Sequence, residues 1–405
     1  MNIRLLAIVP ATLLVLSACG SSAEDSSGDL SGAPLVIGAQ ALLKGPAAYP
    51  QSKNGLEAAV AYINREQNGI GGRPLKLEIC GTDGSPESAI SCANSFVEKG
   101  VPLVIDAFDQ SIGAGLPIFA SAGIPVVGTL PGTPAADAAK FGQAFYFTGP
   151  TAINALGTIS LMSKLGAERV SLAITDSPAS HGFMDTVLKP VGDALGVKVD
   201  AQYAPNTGAN LEVLAATQLA TKPDVAGVVA LPEDSCTGLF RALRGQGFDG
   251  KIFGGGCSKF IDELGDDAAG SIIQTRLWVS GSKDAAPKRV AQDLDNFSKA
   301  MEAAGVGDDL SARALYAFAG VVNTAKVISG IVGEITPQSA TKAFSTIVDF
   351  DSFAGPTITC DGKQWPGSAP ACSKQALFLE VTKDGALEPV DKGGYADLDP
   401  SALGG

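Results

Sequence analysis

The chain has 405 residues, 45% of them hydrophobic, with 42 acidic against 29 basic side chains and a formal charge of −13. That sign disfavours nucleic acid and anionic membrane surfaces as partners, and the length and apolar content exceed what one hydrophobic core accommodates. Beyond the N-terminal leader, no apolar run approaches the ~20 residues that a membrane-spanning helix needs.

The first elements read as export signals. Met1-Asn2-Ile3-Arg4 is a short basic stretch, and Leu5 to Leu16 is apolar but too short for a stable span, so residues 1–18 are expected to be a signal peptide. Leu16, Ser17 and Ala18 before Cys19 resemble the lipobox of bacterial lipoproteins. That resemblance implies cleavage before Cys19, its acylation, and anchorage of the exported protein to the outer face of the cell membrane. Residues 19–33, containing "GSSAEDSSGDLSG", have too little apolar surface to offset the entropy of ordering and are expected to form a flexible tether.

From Leu35, continuous apolar runs alternate with amphipathic stretches. "PLVIGA" precedes a predicted helix over 51–64, "PLKLEIC" one over 86–98, and "VPLVIDAF" one over 111–122, and "IPVVGT" closes the series. Strands of this kind belong to a parallel sheet covered on both faces. After residues 148–151 the alternation restarts with "RVSLAIT", a helix over 182–195, "VKVDAQY", a helix over 211–220, "DVAGVVAL", a helix over 236–244, "KIFGGG" and "SIIQTRLWV". The pattern is α/β, with two doubly wound, Rossmann-like lobes. Helical patterns over 288–304, 312–329 and 338–347 would complete the first lobe after a return near 279–281. "TITC" with "QALFLEVTKDG" then reads as a hairpin returning to the second lobe.

Six cysteines follow Cys19, an even number that points to disulfides in an exported chain. Their spacings favour sequential pairing: Cys80 with Cys92, Cys236 with Cys257, and Cys360 with Cys372. No C-x-x-C occurs and the only histidine, His181, is remote in sequence, so no metal is expected. "GQGFDGK" matches a phosphate-binding loop in letters but follows a helix and precedes a strand, the reverse of the required order, and is read as a turn. With no G-x-S-x-G either, no catalysis and no cofactor are expected.

Residues 54–101 are specific enough to carry a family resemblance. Gly55, Ala58, Ala59, Ile63, Asn64, then Gly69-Ile70-Gly71-Gly72-Arg73-Pro74-Leu75 and Asp83 resemble the leucine/isoleucine/valine-type periplasmic binding proteins. The resemblance implies the type I periplasmic binding protein fold, two lobes joined by three crossovers, with residues 34–148 plus 281–352 in one and 149–280 plus 353–398 in the other. It further implies a monomer that captures a small molecule between the lobes and delivers it to the permease subunits of an ABC importer. A sensor presenting its closed form to a membrane signalling partner uses the same closure and stays open as an alternative.

Ligand sites of open α/β sheets form beyond the carboxyl ends of the strands. In the first lobe those segments contribute Tyr49, Phe108, Asp109, Gln110, Ser111, Leu130, Gly132 and Thr133 as candidates. The hydroxyl of Ser111 either caps the following helix or faces the ligand. By the resemblance, Gln110 or Ser111 and the stretch from Leu130 to Thr133 match the groups that hold an amino acid's carboxylate. In the second lobe the candidates are His181, where the family places a tyrosine, with Phe183, Glu233 and Asp234. The position of the family's ammonium-binding acid is taken by Gly255, Gly256 and Cys257. A buried ammonium without a countercharge is strongly disfavoured, so the expected ligand is a larger, ring-containing or amphiphilic solute rather than a free branched-chain amino acid.

Overall fold

The computed structural model of the protein describes residues 30, 32–45 and 48–403; the expected signal peptide, Cys19 and most of the tether lie outside them. The described chain opens with β1 (Leu35–Leu42), α1 (Pro50–Glu66), β2 (Leu75–Thr82), α2 (Pro86–Glu98), β3 (Val104–Asp106), α3 (Ile112–Ala122), β4 (Val126–Gly128), α4 (Pro134–Asp137) and β5 (Ala144–Tyr146). These strands pair in parallel in the order β2-β1-β3-β4-β5. Local chemistry sets the helix starts. Proline, which lacks an N–H that would go unpaired there, opens α1, α2 and α4, and the Ser85 and Thr133 hydroxyls accept from the amides of Ser88 and Ala136. Gly123 ends α3 in the left-handed region.

The second lobe runs α5 (Ile153–Lys164), β6 (Arg169–Thr175), α6 (Pro178–Phe183), α7 (Lys189–Leu195), β7 (Lys198–Ala204), α8 (Leu211–Ala220), β8 (Val225–Ala230), α9 (Glu233–Gly245), β9 (Lys251–Phe253), α10 (Phe260–Leu264) and β10 (Ile272–Thr275). The helix predicted over 182–195 starts earlier, at Pro178 under a Ser177 cap. A π-helical turn over Met184–Leu188 separates α6 from α7. Likewise α9 starts at Glu233 rather than Cys236, with Pro232 at its N-cap position.

The chain then returns to the first sheet as α11 (Lys288–Ala303), α12 (Ala312–Ile328) and α13 (Pro337–Ser345). α12 buries 12 of its 17 residues, as a helix apolar nearly all round must. It packs on α1 so closely that a Cβ on Gly55 would lie 2.1 Å from the Ala314 carbonyl oxygen.

The tail differs from the sequence expectation. "TITC" does not pair with "QALFLEV": β11 (Phe350–Asp351) pairs with β12 (Thr357–Ile358), while β13 (Gln375–Val381) lies antiparallel to β10 and takes β14 (Leu387–Pro389) and β15 (Tyr395–Asp397) as partners. The physical reason is the turn at Ser352–Pro356, where the Ser352 hydroxyl donates to the Pro356 carbonyl and folds the strand back locally. The second sheet therefore has the order β14-β13-β10-β9-β8-β6-β7, with β15 on β13.

Disulfides join Cys80 to Cys92, Cys236 to Cys257, and Cys360 to Cys372, with Cα–Cα distances of 5.7, 6.5 and 4.3 Å. The first ties β2 to α2 across a 12-residue separation. Replacing both Cys80 and Cys92 by alanine is expected to lower unfolding free energy by about 2 to 3 kcal/mol, the chain-entropy value for so short a loop. Urea titration checks this, and an unchanged midpoint overturns it.

Candidate ligand site at the carboxyl ends of the two sheets

In each lobe the chain reverses its direction of winding once: between β1 and β3 in the first sheet, and between β6 and β8 in the second. The loops leaving those strands diverge and open a crevice. In the first lobe the crevice loop is held from beneath by a carboxylate network. Asp109 is fully buried, and it accepts from Gln40 Nε2 at 3.0 Å, Thr82 Oγ1 at 2.7 Å, and the Ser111 amide and hydroxyl at 2.8 and 2.6 Å. The Ser111 hydroxyl thus donates to Asp109 and does not cap α3. Asp109 Oδ1 and Oδ2 face inward as a staple of the loop.

Asp106, also buried, accepts from the Asp109 amide at 2.7 Å and shares a 2.9 Å hydrogen bond with the Tyr146 hydroxyl. Burial pushes its carboxyl up to about 8; the Asp109 amide opposes that and the Asp109 charge adds to it. Between the two aspartates Phe108 is forced to φ +61°, a left-handed conformation rare for a bulky residue. Its ring centroid lies 6.2 Å from that of Tyr49, and both rings are half-buried.

Over these two rings sits Arg313, in the first turn of α12, with its guanidinium carbon 3.9 Å from the Phe108 centroid and 4.4 Å from the Tyr49 centroid. Sequence reasoning missed Arg313. The one available signal was a cation near the start of a mostly apolar helix. Of the other first-lobe candidates, Thr133 is spent on capping α4, Leu130 is buried, and a Cβ on Gly132 would stand 3.0 Å from the Asp109 carbonyl oxygen. Gln110 is exposed.

In the second lobe, His181 is exposed and stacks on Tyr203 with ring centroids 3.7 Å apart and planes at 17°. Its Nε2 lies 2.9 Å from Asp176 Oδ1. Tyr203, at the end of β7, is the second residue the sequence reading did not single out. Phe183 is half-buried against that lobe's core. Glu233 accepts from the amides of Ser258 and Lys259, each at 3.1 Å, and Asp234 pairs with the Lys259 ammonium at 2.6 Å. Both carboxylates are therefore engaged in holding the loop that follows β9, which the Cys236–Cys257 bridge also fastens.

The passages between lobes converge on Arg276. This buried cation donates to the carbonyls of Gly149 and Pro150 at 3.3 and 3.0 Å, tying the second passage to the first. Burial lowers its pKa to about 10, which leaves it charged at neutral pH. The Tyr316 hydroxyl lies 3.0 Å from Thr275 Oγ1, and Tyr395 donates to the Arg276 carbonyl at 3.1 Å. In the third passage, the Tyr146 amide donates to the Pro370 carbonyl at 2.8 Å and the Tyr146 carbonyl accepts from the Cys372 amide at 3.0 Å, so the 359–372 loop rides on β5.

Two parallel-sheet lobes, each offering its switch point and joined by three passages, define the class as a bilobed receptor of the type I binding-protein fold. The periplasmic binding protein model matches residues 34–382, and the chain belongs to that family, whose members bind solutes outside the cytoplasm. Solved structures share the fold. An extracellular ligand-binding receptor from Verminephrobacter eiseniae is similar with a TM-score of 0.71 and 17% identity, over 88% of this chain and 99% of that one. An ABC transporter substrate-binding protein from Aeropyrum pernix gives 0.71 and 17%, over 92% and 97%. The branched-chain amino acid transporter substrate-binding protein LivJ from Streptococcus pneumoniae, in complex with isoleucine, gives 0.66 and 18%, over 88% and 99%. At such identities the likeness is one of fold. No curated protein matches in sequence.

Proposed function

We propose that this protein is the solute-binding component of an ABC importer of the branched-chain amino acid type, working as a monomer without catalysis and held to the outer face of the membrane by lipid on Cys19. The observation that carries the reading is the pair of strand-end clusters, Tyr49–Phe108 with Arg313 in one lobe and His181–Tyr203 in the other, on lobes joined through Arg276. The lobes comprise residues 34–148 plus 281–352 and 149–280 plus 353–398. A solute bridging the clusters stabilises the closed form by its extra contacts there. The engaged state of Glu233 and Asp234 supports a solute other than a free branched-chain amino acid.

A thermal-shift screen over amino acids, aromatic acids, polyols and short acyl compounds tests solute capture, because a ligand at 100 times its Kd adds about 2.7 kcal/mol. Small-angle scattering with the strongest hit is expected to show a smaller radius of gyration at constant helix content. Tight binding with an unchanged radius overturns closure. Mass spectrometry of the detergent-extracted protein tests the anchor, and an unacylated residue 19 overturns it.

A further inference from the structure

Arg313 is poorly explained by stability. Among the described arginines, Arg65, Arg169 and Arg289 form ion pairs, Arg73, Arg244 and Arg276 donate to main-chain carbonyls, and Arg241 is exposed on α9. Arg313 differs from all of them. It is half-buried on two aromatic rings, yet among the described residues its guanidinium takes part in no ion pair and no hydrogen bond. Its place in the first turn of α12 sets a cation at the positive end of a helix, an unfavourable position. Capping is already supplied there by Ser311, which accepts from the Ala314 amide at 3.3 Å.

Position supplies the complementary observation. Tyr49 follows β1 and Phe108 follows β3, the two strands that flank the first lobe's switch point, and the strained φ of Phe108 turns its ring to the cation. The two rings lie 3.9 and 4.4 Å from the guanidinium carbon, and the N–H donors have no acceptor among the described residues. A planar fork of donors of this kind matches a carboxylate in two parallel hydrogen bonds. In the facing lobe, Glu233 and Asp234 are engaged by Ser258 and Lys259.

Resting on the solute-binding reading above, we propose that Arg313 is the ligand-anchoring residue and that the solute is an organic carboxylate whose recognition requires no ammonium group. Tyr49 and Phe108 hold the guanidinium in place before the ligand arrives, which spares the entropy of ordering a long side chain on binding.

Calorimetry on the whole exported chain tests this with paired probes: benzoate against benzamide, and 4-methylpentanoate against 4-methylpentanamide, with leucine alongside. At least one acid is expected to bind the wild type at least 10-fold more tightly than its amide, with leucine no tighter than 4-methylpentanoate. Arg313→Gln is expected to weaken that acid about 10- to 100-fold, the worth of a charged hydrogen-bonded pair. Arg313→Lys, which keeps the charge and loses the fork, falls between, and Arg241→Gln, the same charge change on α9, has no effect. The ligand-free melting temperature of Arg313→Gln stays within about 2 °C of the wild-type value, because the lost cation–π contacts are offset by removing a cation from the positive end of α12. Acids that bind Arg313→Gln as well as wild type, amides that equal acids, or a ligand-free melting temperature that falls with affinity each overturn the anchor and leave solute capture standing. A wild type that binds a non-carboxylate of the thermal-shift screen and no acid overturns the anchor alone, and one that binds no probe here and no compound of that screen overturns both.

Discussion

Gly55→Ala is expected to destabilise the protein by about 2 to 3 kcal/mol, the range for forcing an added methyl into a packed contact. Helix propensity alone predicts the opposite sign, since alanine is better than glycine inside a helix by about 1 kcal/mol. The contact decides because the new Cβ would stand 2.1 Å from the Ala314 carbonyl oxygen and 2.9 Å from its carbon, main-chain atoms that no rotamer change removes. Relief requires α1 and α12 to separate, and that also moves Tyr49, at the N-cap of α1, away from Arg313 beside Ala314. Chemical denaturation should therefore show a lowered midpoint, and affinity should fall with it. Gly182→Ala in α6 provides the internal control: its Cβ meets open space, so the ordinary gain of about 0.5 to 1 kcal/mol is expected there. If Gly55→Ala and Gly182→Ala shift the midpoint alike, the close helix approach is refuted.

The second large effect is a pH dependence traced to Asp106. Its folded carboxyl is raised from 3.8 to about 8, chiefly by burial, so between those values the folded state holds a proton that the unfolded chain releases. Stability therefore falls as pH rises from about 4 to 8, by on the order of 1 kcal/mol per pH unit, and is flat above that window. Below about 4 both states are protonated and the group contributes no slope. Asp106→Asn supplies a neutral group of the same shape that still accepts from the Asp109 amide and meets the Tyr146 hydroxyl. That variant is expected to lose the slope and to exceed the wild type in stability at pH 8. Denaturant midpoints at pH 5, 6, 7 and 8 for both proteins give the answer, and parallel curves would remove Asp106 as the source.

Much of the architecture was legible in the sequence because its causes are local. Runs such as "VPLVIDAF" are apolar on both faces and so read as buried parallel strands. The ends of α2 and α8 fall where Ser85 and Asn210 supply caps, at Pro86–Glu98 and Leu211–Ala220 as expected. Cysteine spacing was informative for the same reason, since strand-to-helix units bring Cys80 and Cys92 to a Cα–Cα distance of 5.7 Å. The glycine-rich motif around Gly69–Gly72 marks a turn with positive φ at Gly69, Gly71 and Gly72, a requirement of the backbone alone.

The candidate site was legible only as a set of loops. That Asp109 turns inward to Gln40 and Thr82, and that Glu233 is held by the Ser258 and Lys259 amides, depend on partners brought close by the fold. Arg313 shows the difference most clearly. By sequence it is a cation near the start of an apolar helix, and its chemistry exists only because α12 crosses back to the first lobe and sets it against Tyr49 and Phe108. Strand and helix follow from periodicity, capping and turn residues within a few positions of one another, and these the sequence determined by itself. The environment of a charge depends on which distant groups surround it, desolvate it or leave it unpaired, and that the tertiary structure alone decided.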